Sequence, residues 1–156
     1  MQYRKSGYLG SLRNMHLALL AGQCVMLGIA LYLVIQKKIP PPEKSLDKIL
    51  QIAALAVAFV GVYGATVMIK KKLGAINTSG NKLEEKAGQY RTASRIQWVL
   101  LECASFFSIA CFLLTGNYAF GALAVALILF FALQAPTRLK MMLQLRLNEQ
   151  EADSLQ

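Results

Sequence analysis

The sequence predicts an all-α integral membrane protein, on three observations. Of its 156 residues 56% are hydrophobic and only 16% charged, with a mean hydropathy of +0.44, whereas a soluble domain is about 25% charged. The charges gather between four apolar runs, residues 17–35, 50–69, 96–114 and 118–135, and only the third run contains a formal charge, Glu102. Each run is close to the ~20 residues that ~30 Å of hydrocarbon requires at ~1.5 Å per residue. Open strands are excluded because lipid cannot satisfy their backbone groups, and the runs lack the alternation of a membrane barrel. The expected architecture is a four-helix bundle forming one membrane domain over residues 1–156.

Taken in order, Tyr3, Tyr8, Leu9 and Leu12 among Arg4, Lys5 and Arg13 read as a short amphipathic interfacial helix feeding the first span. A cleaved signal peptide is a poor reading of that span, which starts after sixteen residues and ends at Ile35-Gln36-Lys37, not a small-residue cleavage site. Pro40-Pro41-Pro42 makes a stiff connector, and Ser45 or Asp47 is placed to cap the second span. The loop 70–95 opens with Lys70, Lys71 and Lys72 and passes a segment from Gly74 to Gly80 that reads as irregular. It then shows Asn81 followed three residues later by Glu84, the pattern of an N-cap with its reciprocal acid. From there one long helix is predicted through Leu83, Ala87, Tyr90 and Ser94 into the third span. Gly116-Asn117 turns the chain into the fourth. Pro136, a favoured first helical residue, then opens an amphipathic helix at about 137–150, with Leu139, Met142, Leu143 and Leu147 at helical spacing beside Arg138, Lys140 and Arg146. The last residues, Glu149 to Gln156, read as a polar, frayed end. Tyr32, Trp98 and Tyr118 near span ends fit an interfacial aromatic belt. No internal repeat is evident, and two such different hairpins argue against an inverted-repeat transporter.

Orientation follows from the basic residues. Thirteen fall on the side of the termini and of loop 70–95, and four, Lys37, Lys38, Lys44 and Lys48, on the other. The positive-inside rule then places both termini in the cytoplasm of a bacterial inner membrane. The net charge of +9 is thereby explained as attraction to anionic headgroups. The expected partners are the bilayer and a membrane protein or second copy, with no nucleic acid.

Small residues drive close packing between membrane helices, where the hydrophobic effect offers little. Ala54, Ala58, Gly61 and Ala65 form one stripe on the second span; Ala104, Ser108, Cys111 and Thr115 form another on the third. Gly121 and Ala124 serve the fourth, and Ala21 and Gly28 the first.

Glu102 is the sharpest candidate for chemistry. An acid within a span costs about 2.5 to 3.5 kcal/mol on insertion scales, so it is expected to face the interior and to find partners or stay protonated. It lies seven residues past Arg95, about 10 Å deep at 1.5 Å per residue. Gln23, six residues past Leu17, and Tyr63, seven before Lys70, fall near the same depth, so Gln23, Tyr63 and Glu102 form a candidate polar layer across three helices. One reading is a titrating carboxylate in a transporter; the other is a hydrogen-bonding acid that fixes helix register. Arg95, two turns away on the same face, reaches it only by snorkelling.

Cys24, Cys103 and Cys111 lie inside spans with no C-x-x-C pair and read as buried free thiols packing as small residues. His16, the single histidine, excludes two-histidine haem ligation within the chain, makes a metal cluster improbable and is expected in the headgroup region. No phosphate loop, nucleophile triad or carboxylate pair can be assembled. The sequence therefore reads as a non-enzyme without cofactor or metal.

The run Tyr90-Arg91-Thr92-Ala93-Ser94, continuing through Leu100-Leu101-Glu102 to Leu113-Leu114-Thr115-Gly116-Asn117 and later Ala135-Pro136-Thr137, resembles a pattern in a family of small bacterial four-span integral membrane proteins. The resemblance covers roughly residues 90–140 and implies no catalytic assignment. Rotary-ATPase proteolipids and small multidrug transporters invite comparison by length, but both carry their acid in a different helix. The expectation is an accessory or structural subunit of a larger membrane complex; the alternative is a small oligomeric proton-coupled transporter or channel using Glu102.

Overall fold

The computed structural model describes residues 8–36, 44–80 and 82–153, and within them all regular structure is helical. The helices are α1 (Tyr8–Ile35), α2 (Lys44–Thr78), α3 (Leu83–Thr115), α4 (Tyr118–Leu133), α5 (Arg138–Leu145) and α6 (Glu149–Asp153). Helices α1, α2 and α3 are each long and apolar enough to cross a bilayer, and α4 with α5 makes a fourth if that pair, bent by 74°, counts as one span. The chain is thus a multi-pass membrane protein. Helix α4 has 16 residues, about 24 Å, and is the shortest against ~30 Å of hydrocarbon.

Several element boundaries differ from expectation, each for a local reason. Among the described residues no separate N-terminal helix precedes α1: the chain is one helix from Tyr8, with Leu12 buried in the core. Tyr3, Arg4, Lys5, Pro40, Pro41, Pro42 and Asn81 lie outside the described residues. The segment from Gly74 is helical through Thr78 rather than irregular. Ile76 is buried and Leu73 packs beside it, and such tertiary contact outweighs the ~1 kcal/mol that a helical glycine costs. Helix α3 starts one residue later than the Asn81 pattern indicates. Lys82 is its N-cap and supplies no side-chain bond, while Glu84 and Glu85 in the first turn suit the helix dipole.

Asp47 sits inside the first turn of α2, and its carboxylate accepts from Gln51 and Asn117. Thr137, not Pro136, opens α5, its hydroxyl accepting from the Lys140 N–H at 3.2 Å. The polar end is not wholly frayed. The Asn148 side chain accepts from the Glu151 N–H at 2.8 Å and Glu151 accepts from the Asn148 N–H at 3.0 Å, a reciprocal box that starts α6.

Helix α3 is the hub, packed against α2, α4 and α1, while α1 also meets α4. Helices α1 and α3 run parallel in one register: Ser11 meets Arg91 at 3.3 Å, the His16 and Trp98 rings lie 5.0 Å apart, and Val34 approaches Gly116. The partners in these pairs are 80 to 82 residues apart in the chain. Helix α2 is antiparallel to α3, with Gly61 against Ala104 and Asp47 against Asn117. The return to α4 is tight because Gly116 takes φ +64°, the left-handed conformation natural to glycine, and Asn117 then caps α4 by accepting from the Ala119 N–H.

One side of α3 is uncovered. Thr92, Ile96, Val99, Cys103, Phe106, Ala110 and Leu114 are all exposed, and they recur every three to four residues, so they form one face. By helical phase this face lies between the flank that meets α1 and the flank that meets α2. At one end of the molecule gather Arg13, Lys70, Lys71, Lys72, Arg91, Arg95, Arg138, Lys140 and Arg146; this is the basic end, and the Asp47–Asn117 contact marks the far end.

Candidate functional site

The polar and small residues singled out in the sequence fall into separate places. The stripe Ala54, Ala58, Gly61 and Ala65 is buried on α2, as are Ala104, Ser108, Cys111 and Thr115 on α3. The two meet where a Cβ built on Gly61 would lie 2.9 Å from the Ala104 Cβ and 3.4 Å from the Leu100 carbonyl oxygen. The Ser108 and Thr115 hydroxyls donate back to the Ala104 and Cys111 carbonyls of their own helix, at 3.0 and 2.8 Å, so the seam carries no free hydroxyl of theirs. Gly121 on α4 is half-buried and faces the Phe112 ring.

The layer of Gln23, Tyr63 and Glu102 does not form. Tyr63 is 62% exposed and stacks on Phe59, with ring centroids 5.8 Å apart, on the side of α2 opposite Gly61. Depth arithmetic places residues along the membrane normal but says nothing of azimuth, and the azimuth of Tyr63 is outward. Glu102 is half-buried, and its helical phase places it at the edge of the open α3 face toward α1. Gln23 alone is fully enclosed, at 0% exposure.

The helix register sets Gln23 level with Ser105. The offset of 82 residues that pairs His16 with Trp98 also pairs Gln23 with Ser105, two turns further along both helices. Both are wholly buried, and neither the Gln23 amide nor the Ser105 hydroxyl has a hydrogen-bond partner in the protein. The spacing was visible in the sequence: Leu12, His16, Gln23 and Ala30 fall on one face of α1, and all four are buried.

His16 is buried rather than set among headgroups. Its ring stacks on Phe131, with centroids 4.5 Å apart and planes 4° from parallel, and meets the buried Trp98 edge-on. Its Nε2–H donates to the Phe131 carbonyl at 3.0 Å, a second bond to an oxygen that also accepts from the Gln134 N–H at 2.9 Å in the last turn of α4. One imidazole thereby joins α1, α3 and α4. Trp98 is core, not a belt residue, whereas Tyr32 and Tyr118 are exposed. Nearby, the Lys140 ammonium donates to the Gln134 amide oxygen at 2.9 Å and the Leu133 carbonyl at 3.4 Å, and partial burial lowers its pKa from the ordinary lysine value.

At the basic end α5 folds back under α2 and α3. Met141 and Leu145 are buried there while Leu139 and Leu143 face outward, so the docking stripe is not the one that the leucine spacing marked. The Asn77 amide donates to the Gln144 carbonyl, and the Tyr90 hydroxyl donates to the Gln144 side-chain oxygen, both at 2.9 Å. At the far end the Asn117 amide donates to both Asp47 oxygens, at 3.2 and 3.0 Å. Of the thiols only Cys111 is buried; Cys24 and Cys103 face outward, against the expectation for all three.

Among the described residues no three metal-binding side chains converge. What the polar groups do is tie helices: His16 and Gln144 at one end, Asp47 with Asn117 at the other. No protein-family model, curated protein or solved structure matches the chain.

Proposed function

We propose that the chain is a non-enzymatic accessory or structural subunit of a larger assembly in the bacterial cytoplasmic membrane, a four-span bundle with both termini on the cytoplasmic side. The observation that carries this reading is Tyr63. It lies seven residues before Lys70, about 10 Å from the basic end, and its ring faces outward with Phe59 beside it. Helical side chains lean toward the helix N-terminus, which for α2 is the far end, so the phenol leans into hydrocarbon rather than up to headgroups. A hydroxyl without a partner there costs about 1 to 3 kcal/mol, and a neighbouring membrane protein supplies the missing acceptor. Tyrosine is also enriched at interfaces for its combination of apolar ring and polar tip. The gathering of cations at one end supports the orientation.

The transport alternative needs one polar route. Gln23 is enclosed, Glu102 lies at the rim of α3 and Tyr63 is on the outside of α2, so the three do not line a common path. A photo-crosslinking residue placed at Phe59 in intact membranes is expected to give an adduct of defined mass, weakened by Tyr63→Phe. The same probe at the outward-facing Leu129 of α4 is expected to give none. If Phe59 yields only the monomer, and native gels in mild detergent show a lone chain, the reading is lost.

A further inference from the structure

The open face of α3 changes character along its length. At the basic end it begins beside a cleft of about 530 Å³ between α2 and α3, lined by Lys72, Gln89 and Thr92 among others, with Glu85 the acid on that wall. On the edge toward α1 stand Arg91 and Arg95, one turn apart and half-buried. The Nε–H of each guanidinium is enclosed and has no acceptor, and Arg91 uses Nη2 on the Ser11 hydroxyl at 3.3 Å. Neither Glu85 nor Glu102 bonds either arginine, and Glu102 lies about 10 Å deeper than Arg95. Below this mouth the face is apolar apart from Glu102 at its edge toward α1: Ile96, Val99, Cys103 and Phe106 are all outward. From Ile96 to Phe106 is about 15 Å of helix, the depth of one leaflet of a ~30 Å hydrocarbon core.

We infer that this face binds one anionic phospholipid, its phosphate held by Arg91 and Arg95 and an acyl chain lying along Ile96, Val99, Cys103 and Phe106. Two guanidiniums one turn apart, neither paired with an acid among the described residues, are suited to a phosphate, whose oxygens accept charge-assisted bonds from the outer guanidinium nitrogens in the planar geometry that arginine presents. Basic pockets beside membrane helices recognise headgroups in this way. Free phosphate would satisfy the arginines and leave the apolar floor bare; a lipid satisfies both at once. The site lies on α3, apart from the Phe59–Tyr63 face of α2, and does not depend on any protein partner.

The test uses the purified full chain in mild detergent, titrated separately with dioleoyl phosphatidylglycerol and dioleoyl phosphatidylcholine, with bound lipid counted by native mass spectrometry. One phosphatidylglycerol is expected to be retained in preference to phosphatidylcholine. Arg91→Gln with Arg95→Gln weakens that retention by about thirtyfold, at roughly a factor of five per cation. Val99→Trp, which fills the floor without changing charge, weakens it as well, and Arg13→Gln with Lys71→Gln, which removes the same charge elsewhere, leaves it unchanged. Equal retention of the two lipids, or equal loss in both charge-removing pairs, overturns the inference. Thermal melts identify any variant that fails to fold, and Val99→Trp then decides together with the lipid comparison.

Discussion

At Gly61 any other residue would bring a Cβ to 2.9 Å from the Ala104 Cβ, with the Leu100 carbonyl oxygen at 3.4 Å. Real carbon atoms do not approach so closely, so α2 and α3 must separate to admit even a methyl group. Gly61→Ala is therefore expected to destabilise the protein by about 1 to 3 kcal/mol, the usual range for overpacking. Ala104→Gly in the same chain should recover part of that loss, and thermal unfolding of the two variants in detergent checks it. The close approach was legible in the sequence as two small-residue stripes, because small side chains at spacings of three and four have few other uses in lipid. Tyr63 was not legible in the same way. Its depth follows from counting residues, but its direction depends on which side of α2 meets α3, and only Gly61 and its neighbours decide that. His16 was misplaced for a related reason: proximity to Arg13 suggests headgroups, yet His16, Gln23 and Ala30 share a face seven residues apart, and that face is the buried one.

At the scale of elements, α5 shows how a short helix is held. Its eight residues are too few to be stable alone in water; burial of Met141 and Leu145 and the two bonds through Gln144 secure it. Gln144→Leu is expected to leave the Tyr90 hydroxyl without its acceptor, at a cost of about 1 to 3 kcal/mol. Adding Tyr90→Phe should restore much of that stability, because the orphaned group is then gone. Hydrogen exchange across residues 138–145 measures both, and equal protection in all three proteins would remove Gln144 from this role. The amphipathic character of this segment was readable from residue spacing, but its docked side was not. Leu139, Met142, Leu143 and Leu147 mark an apolar face suited to headgroups, while the single turn between Met141 and Leu145 is what the body of the protein accepts. The break at Gln134 to Thr137 also follows from sequence, since Pro136 cannot continue α4, although the cap falls on Thr137.

For the whole molecule, composition and charge placement announced a helical multi-pass protein, because water and hydrocarbon sort residues by strong, additive preferences. The packing order, with α3 central and α1 and α2 on different flanks, was not announced, because several arrangements of the helices bury the same small-residue stripes. The proposed orientation makes a direct prediction. In a variant whose three cysteines are replaced by alanine, a new cysteine at Gln36 should react with an impermeant maleimide applied from outside intact cells, and one at Thr78 or Asn148 only after lysis. The opposite pattern would invert the topology.

The parallel pairing of α1 with α3 carries a consequence in time. Each contact across it joins residues some 80 to 82 positions apart. At about 5 to 20 residues per second of synthesis, α1 exists for roughly 4 to 16 s before its mate is made. During that interval α1 must do without α3 and α4, with the His16 ring lacking its Phe131 acceptor and the Gln23 amide not yet enclosed. A helix that waits so long can carry very little polarity on any side. Residues 17–35 contain no charge, as residues 50–69 and 118–135 do not either, and Gln23 is the one side-chain amide that this first stretch carries through that wait.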